Sequence, residues 1–346
     1  MNNRLNSFRL PAFGPVAAIF PRAAAFVGLA ALAAAAPVIN EIMYRPGATY
    51  PENTGLEFIE IHNPDAAVVD LSGWAITKGA DFTFPAGTTL AAGGYVVVAS
   101  NPTMLTASTG LTVHGPWKTG AKLSNHSGTV TLSKPGATAG TWTTVDSVSY
   151  ADEGDWGTRT RDSLGGWSWV TGANGNNRSL ERRNPTLARN NGQNWGDSIA
   201  AGGTPGAANS RRSVNIAPIV TGVKHVPAVP KSTDPVVISA NLTDESGESF
   251  LSATLYWRNA TSTTPGPFQT AAMAGDGTGT FSATLAPMSD KTIVEFYVSA
   301  SDGTLTRTWP APTSEGQNAN CTCQVDNEAI AGPAPSYRLI LTAAEN

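Results

Sequence analysis

Leu56-Glu57-Phe58-Ile59-Glu60-Ile61-His62-Asn63 is the stretch whose reading decides the fold. Its apolar and polar residues alternate with a period of two. Ile59 and Ile61 fall on one face with Glu57, while Phe58, Glu60 and His62 fall on the other. The run stops at Asn63-Pro64-Asp65, a turn sequence, so it reads as a short strand in a sheet covered on at least one side. Working outward, the same pattern predicts strands at 81–84, 95–99, 129–133 and 145–150. Turn signals separate them at Pro85-Ala86-Gly87, Ala92-Gly93-Gly94 and Lys134-Pro135-Gly136. Many short strands at close spacing describe a sandwich or barrel.

A second set begins after residue 217. Val236, Ile238, Ala240 and Leu242 alternate with polar residues, as do Ala253, Leu255 and Trp257. Phe281, Ala283 and Leu285 follow the hairpin signal Asp276-Gly277-Thr278-Gly279, and Val294, Phe296, Val298 and Ala300 close the set. Residues 218–312 are therefore expected to form an immunoglobulin- or fibronectin-like sandwich. Between the two sets, from 154 to 210, the alternation fades. The chain there turns rich in Gly, Asn and Arg but carries Trp156, Trp167, Trp169 and Trp195, which are expected to order it against the first sheet. Residues 210–217 read as a linker, and residues 313–346 as loop as far as Pro335, with the start of a further segment after it.

The N-terminal 36 residues have another character. Arg4, Arg9 and Arg22 precede an apolar run from Ala23 to Ala36, and no acidic residue occurs before Glu41. A basic start, a short apolar stretch and small residues such as Ala31-Leu32-Ala33 describe a Sec-type signal peptide, cut before Pro37. The run is too short for an ordinary transmembrane span. The fold class expected is thus all-β, two immunoglobulin-like β-sandwiches in series after a signal peptide. The protein is expected to be secreted or held at a bacterial cell surface, with no membrane span in the mature chain.

Composition agrees. Of 346 residues only 14% are charged, while 35 Gly and 24 Pro leave little room for long helices. The net charge is −4, and removing Arg4, Arg9 and Arg22 with the leader leaves 19 basic against 26 acidic residues, or −7. Such a surface repels phosphate backbones, so no nucleic-acid partner is expected. Cys321 and Cys323 are the only cysteines. Their C-x-C spacing is too tight for a normal bridge and lacks the second half of a zinc site.

Signatures of catalysis are missing: there is no P-loop, H-E-x-x-H, G-x-S-x-G or complete G-x-G-x-x-G. The chain reads as a non-catalytic protein without a cofactor. Glu41, Glu57 and Glu60, on the first strands, and Asp276, in a hairpin turn, are candidate ligands for a structural calcium ion, since hard oxygen ligands suit Ca²⁺. The competing reading gives these carboxylates a structural role, with hydrogen bonds to loop backbone. Glu57 and Glu60 point to opposite faces by period two, which argues against one shared ion. Trp117, Trp142, Trp156, Trp167 and Trp169 are candidate binding residues for a sugar-stacking platform, against the alternative that they are core residues.

Taken together, several segments resemble the lamin tail domain. They are Val38-Ile39-Asn40-Glu41-Ile42, Glu57 through Asn63, Leu71-Ser72-Gly73-Trp74, and Phe84-Pro85-Ala86-Gly87-Thr88-Thr89-Leu90 leading to Gly94-Tyr95-Val96-Val97-Val98. Ser179-Leu180-Glu181-Arg182, Asn194-Trp195 and Gly203-Thr204-Pro205-Gly206 are similar to the end of bacterial versions of that domain. The resemblance spans residues 38–209. It implies an immunoglobulin-type sandwich, a non-catalytic module of secreted or surface proteins, and partners that are proteins or polysaccharides. The second domain and the segments Gln324-Val325-Asp326-Asn327-Glu328 and Tyr337 through Thr342 resemble the region that precedes the kinase-like domain of spore-coat-protein-H-like (CotH) proteins. That resemblance implies an accessory half whose catalytic domain is absent from this chain. An accessory role beside an extracellular nuclease is a further alternative, which the net −7 opposes.

Overall fold

A computed structural model describes residues 36–47, 53–247, 250–329 and 339–342. The leader residues 1–35, and Tyr337 and Arg338 of the CotH-like entry segment, lie outside the described residues.

Among the described residues the first half contains thirteen strands and one α-helix. They run β1 (Val38–Met43), β2 (Phe58–His62), β3 (Val69–Asp70), β4 (Ala75–Lys78), β5 (Phe82–Thr83), β6 (Thr89–Leu90), β7 (Tyr95–Ala99) and α1 (Pro102–Thr109). Then follow β8 (Ser127–Pro135), β9 (Trp142–Ala151), β10 (Thr158–Arg161), β11 (Trp167–Val170), β12 (Leu180–Arg182) and β13 (Trp195–Asp197). A five-stranded antiparallel sheet, ordered β13-β12-β1-β2-β7, contributes one layer, and β5-β4-β8-β9 another. Ile42, Ile59, Ile61 and Val98 from the first sheet and Val130, Leu132 and Val148 from the second make one buried cluster. The side-chain period fixes the register. A slip of one residue in β2 would exchange the fully buried Ile59 and Ile61 for Glu60 and His62, forfeiting about 4 kcal/mol of apolar burial.

The opposite face of the five-stranded sheet, polar at Glu60 and His62, is covered too. Met43, Phe58, Val97 and Ala99 on that face meet Leu105 of α1. That helix starts where Asn101 caps it, its side chain accepting from the Met104 N–H, with Pro102 following. It ends at Gly110, whose φ of 76° a side chain would disfavour.

The second half holds β14 (Ile219–Val226), β15 (Val236–Thr243), β16 (Ser252–Asn259), β17 (Gln269–Gly275), β18 (Thr280–Leu285), β19 (Ile293–Ser301), β20 (Thr306–Trp309) and β21 (Cys321–Gln324). β17 switches layers: its first part pairs with β16 and its last two residues with β18. It thereby links the β14-β15-β18 layer to the β16-β19 layer around Ile238, Leu242, Leu255, Phe281, Phe296 and Val298. The all-β class with sandwich sheets expected from the sequence is what the chain adopts.

Two expectations need correcting. The stretch after Pro312 is not loop throughout, because β21 pairs with the Ile293–Phe296 part of β19. Cys323 is fully buried in the second core, and Cys321 packs against it. The cysteines are strand residues, hidden from pattern reading because small side chains give little alternation. Nor do residues 210–217 form a free linker. Ser210 Oγ and Arg211 N both donate to Glu181, Ser213 N donates to the Arg183 carbonyl, and Ile216 is buried. Further bonds join the two halves directly. Gln193 Nε2 donates to the Val220 carbonyl at 2.8 Å, and Val220 N donates to Gln193 Oε1 at 2.9 Å.

Candidate functional site

Two of the proposed calcium ligands meet, and their surroundings explain why they are there. Glu41 pairs across β1 and β2 with Glu60, and across β1 and β12 with Glu181, so three carboxylates lie side by side on the outer face of the sheet. All three are fully buried. The segment after β13 passes over them and supplies donors. Thr204 N and Ser179 Oγ donate to Glu41 Oε1, Gly206 N donates to Glu60 Oε2 at 2.6 Å, and Asn40 Nδ2 donates to Glu60 Oε1 at 2.8 Å. Gly203 fits closely enough that a Cβ there would lie 2.1 Å from Glu41 Oε1, and its φ is +74°. The Gly203-Thr204-Pro205-Gly206 sequence thus acts as a strap closed on buried acids.

Burial pushes the Glu41 carboxyl up to about 7, against the hydrogen bonds from Ser179 and Thr204. Burial, followed by the charge of Glu41, pushes Glu60 up to about 9. Thr204 Oγ1 lies 2.8 Å from Glu181 Oε1 and 3.3 Å from Glu41 Oε2. One hydroxyl carries one hydrogen, so it serves the nearer oxygen, and a proton on Glu41 Oε2 fills the other contact.

Glu57 does not join this group. Its Oε2 accepts the Leu123 N–H at 3.0 Å. Asp276 stands alone in its hairpin, where Oδ1 accepts from Thr278 N and Thr280 N and so orders the turn. Among the described residues no group of three or more His, Cys, Asp or Glu is placed to hold a metal ion. The four candidates are spread over three places, and the oxygens of Glu41 and Glu60 face N–H and O–H donors, the wrong surroundings for a cation.

The tryptophan candidates divide. Trp117 is 4% exposed, with its indole N–H donating to the Ala121 carbonyl, so it is core and not platform. Trp156 packs on the first core beside Trp195, with ring centroids 5.9 Å apart. Trp142 is 48% exposed, at the start of β9 and apart from the others. Trp167 and Trp169 share one face of the β10–β11 hairpin, in register with Arg161 and Arg159. The Arg161 guanidinium lies 4.0 Å from the Trp167 ring centre and that of Arg159 5.4 Å from the Trp169 ring centre. The alternation expected to fade here persists as cation and aromatic against Thr and Ser, a pattern that an apolar-versus-polar reading overlooks.

This hairpin lies against the chain between β20 and β21. Ser314 N donates to the Arg159 carbonyl, and Arg159 Nη2 donates to the Ala319 carbonyl at 2.7 Å. The result is a groove along the seam of the two sandwiches. One part, about 250 Å³, is walled by Arg159, Trp169, Trp309 and Pro310. An adjoining part, about 420 Å³, is walled by Arg183, Gln193, Trp195, Arg307 and Trp309. Asp155, Trp309, Ala311 and Pro312 line both. Arg183, Arg307 and Trp309 were not singled out from the sequence, because they come from strands far apart in the chain.

Residues 30–152 match the family model of the lamin tail domain. The matched segment includes β1, β2, β7, Glu41 and Glu60. β12 and β13 lie beyond the matched segment and complete the five-stranded sheet that β1, β2 and β7 begin, and the Gly203–Gly206 strap follows them. No curated protein matches the chain. No helix among the described residues is long and apolar enough to cross a membrane.

Proposed function

We propose that the chain is a secreted, non-catalytic binding or scaffold protein of a bacterial cell surface or matrix, and that the seam groove is where it takes its ligand. The observation that carries this reading is the groove itself. Trp169, 40% exposed, and Trp309 line it beside Arg159, on a wall held by hydrogen bonds from both halves of the chain. An aromatic face next to a cation suits an extended polysaccharide or a protein segment. The lamin tail domain match supports an immunoglobulin-like binding module, and the leader sequence supports export.

The test is binding of the full chain to immobilised polysaccharides and matrix proteins, read by retention and by quenching of Trp fluorescence. Trp169→Ala is expected to abolish the quenching and weaken retention at least tenfold, since stacking residues dominate such sites. Retention equal to wild type in that variant, for every ligand bound, refutes the assignment of the groove.

A second reading makes the chain the accessory half of a CotH-like kinase, favoured by the resemblance of Gln324-Val325-Asp326-Asn327-Glu328 to the entry of that domain. Sequencing the gene beyond the codon for Asn346 tests it: kinase motifs in a continuous frame support it, and a frame without them removes it.

A further inference from the structure

Arg307 projects from β20 into the larger part of the groove, and Arg183 approaches the same space from the end of β12. Arg183 commits one donor, Nε, to the Trp195 carbonyl at 2.8 Å. The Arg307 backbone pairs with Ala300 of β19, but among the described residues its guanidinium makes no side-chain hydrogen bond or close ion pair; the charge of Asp155, which lines the same cleft, opposes the effect of Arg183 on it. Two guanidiniums in one cleft repel each other, and both are partly removed from water. Burial, and then the charge of Arg183, pushes Arg307 down to about 10, with Asp155 opposing. A fold gains nothing in stability by holding two under-partnered cations together, whereas a ligand anion relieves both at once.

We infer that the Arg183–Arg307 cleft binds the carboxylate of an acidic polysaccharide, one whose sugar rings lie along Trp309 and Trp169. This rests on the reading of the groove as a binding site and names its ligand class. Three features select that class. The planar guanidinium fork matches a carboxylate in two-point contact. Trp309 belongs to both parts of the groove, so a chain anchored at Arg307 meets an aromatic face next. Asp155 lines both parts, and its Oδ2 accepts from Gln193 Nε2 at 2.8 Å. That carboxylate disfavours a dianion such as phosphate while remaining able to accept a sugar hydroxyl.

The test uses the full chain with an oligogalacturonate, a neutral cello-oligosaccharide of equal length and poly-glutamate, measured by calorimetry and Trp fluorescence at two salt concentrations. The oligogalacturonate is expected to bind at least about tenfold more tightly than the neutral chain, the value of one charged hydrogen-bond pair, and to weaken with salt. Arg307→Met keeps the aliphatic stem and removes the charge. It is expected to erase that preference while circular dichroism and Tm stay at wild-type values, because the Arg307 guanidinium makes no bond that the fold needs. Arg307→Lys is expected to restore part of it. Equal binding of acidic and neutral chains, both dependent on Trp169, overturns the carboxylate site but leaves the groove standing as a ligand site. Equal binding of poly-glutamate overturns the polysaccharide in favour of an acidic peptide. Absence of binding by any of these polymers, or by any ligand of the wider panel, overturns both.

Discussion

Replacing Glu41 with glutamine tests the buried-acid strap most sharply, because the two forms of the carboxyl predict opposite results. Raising this carboxyl from its usual 4.5 to about 7 makes ionisation about 3 kcal/mol harder in the folded chain than in the unfolded one. The folded state then holds its proton more tightly. The stability tied to that proton is complete below pH 4.5, falls from there, and is lost by the time pH has risen through 7. Glu60, raised to about 9, adds a loss of the same sign that continues to higher pH.

Glutamine at 41 keeps the carbonyl oxygen for Ser179 Oγ and Thr204 N. Its amide then donates to Thr204 Oγ1, where the neutral acid placed its proton. Glu41→Gln is therefore expected to match wild type within about 1 kcal/mol at pH 5 and to be about 2–3 kcal/mol more stable at pH 8.5. At ~2–4 °C per kcal/mol for a unit of this size, calorimetry should show a gain of several degrees at the higher pH. Glu41→Ala leaves two buried donors unpaired beside a cavity and is expected to lose about 3 kcal/mol at both pH values. If glutamine proves as damaging as alanine at pH 8.5, the strap requires a charged carboxylate and the reasoning from burial fails.

Asp146 offers a contrast, since its charge is needed. It is 2% exposed, lies 3.3 Å from the buried Arg182 and 3.1 Å from Arg189, and accepts the Ile39 N–H. Asp146→Ala is expected to cost about 3–5 kcal/mol in urea unfolding, because Arg182 is left buried with its charge unmatched. Gln193→Ala removes both hydrogen bonds between Gln193 and Val220, for a loss of about 2 kcal/mol, and is expected to broaden or split the calorimetric transition as the two sandwiches uncouple. A single sharp transition at the wild-type Tm would show that the seam is held elsewhere.

How much of this was legible beforehand depended on where each signal resides. Ile59 and Ile61 are the inward face of a strand, as their period requires, and Val236 to Leu242 behave likewise. β21 is not legible locally because Cys-Thr-Cys-Gln carries no strong apolar alternation, and its place beside β19 comes from tertiary pairing. The buried role of Glu41 and Glu60 was among the alternatives read from the sequence, yet Glu181 and Thr204, which complete the arrangement, were not connected to them. Nothing local ties residue 41 to residue 204. The Trp candidates show the same limit. Trp117 and Trp169 look alike in sequence, but one lies in the core and the other opens onto the seam.

The sequence by itself determined the class, the approximate strands and the character of the turns, because period, β-propensity and glycine placement act within a few residues. Only the tertiary structure decided which carboxylates share a strap, which tryptophans stay in water and which arginines face each other. Those are properties of strands brought together from remote parts of the chain. Their neighbours set burial, and burial sets both the charge of an acid and the availability of a guanidinium.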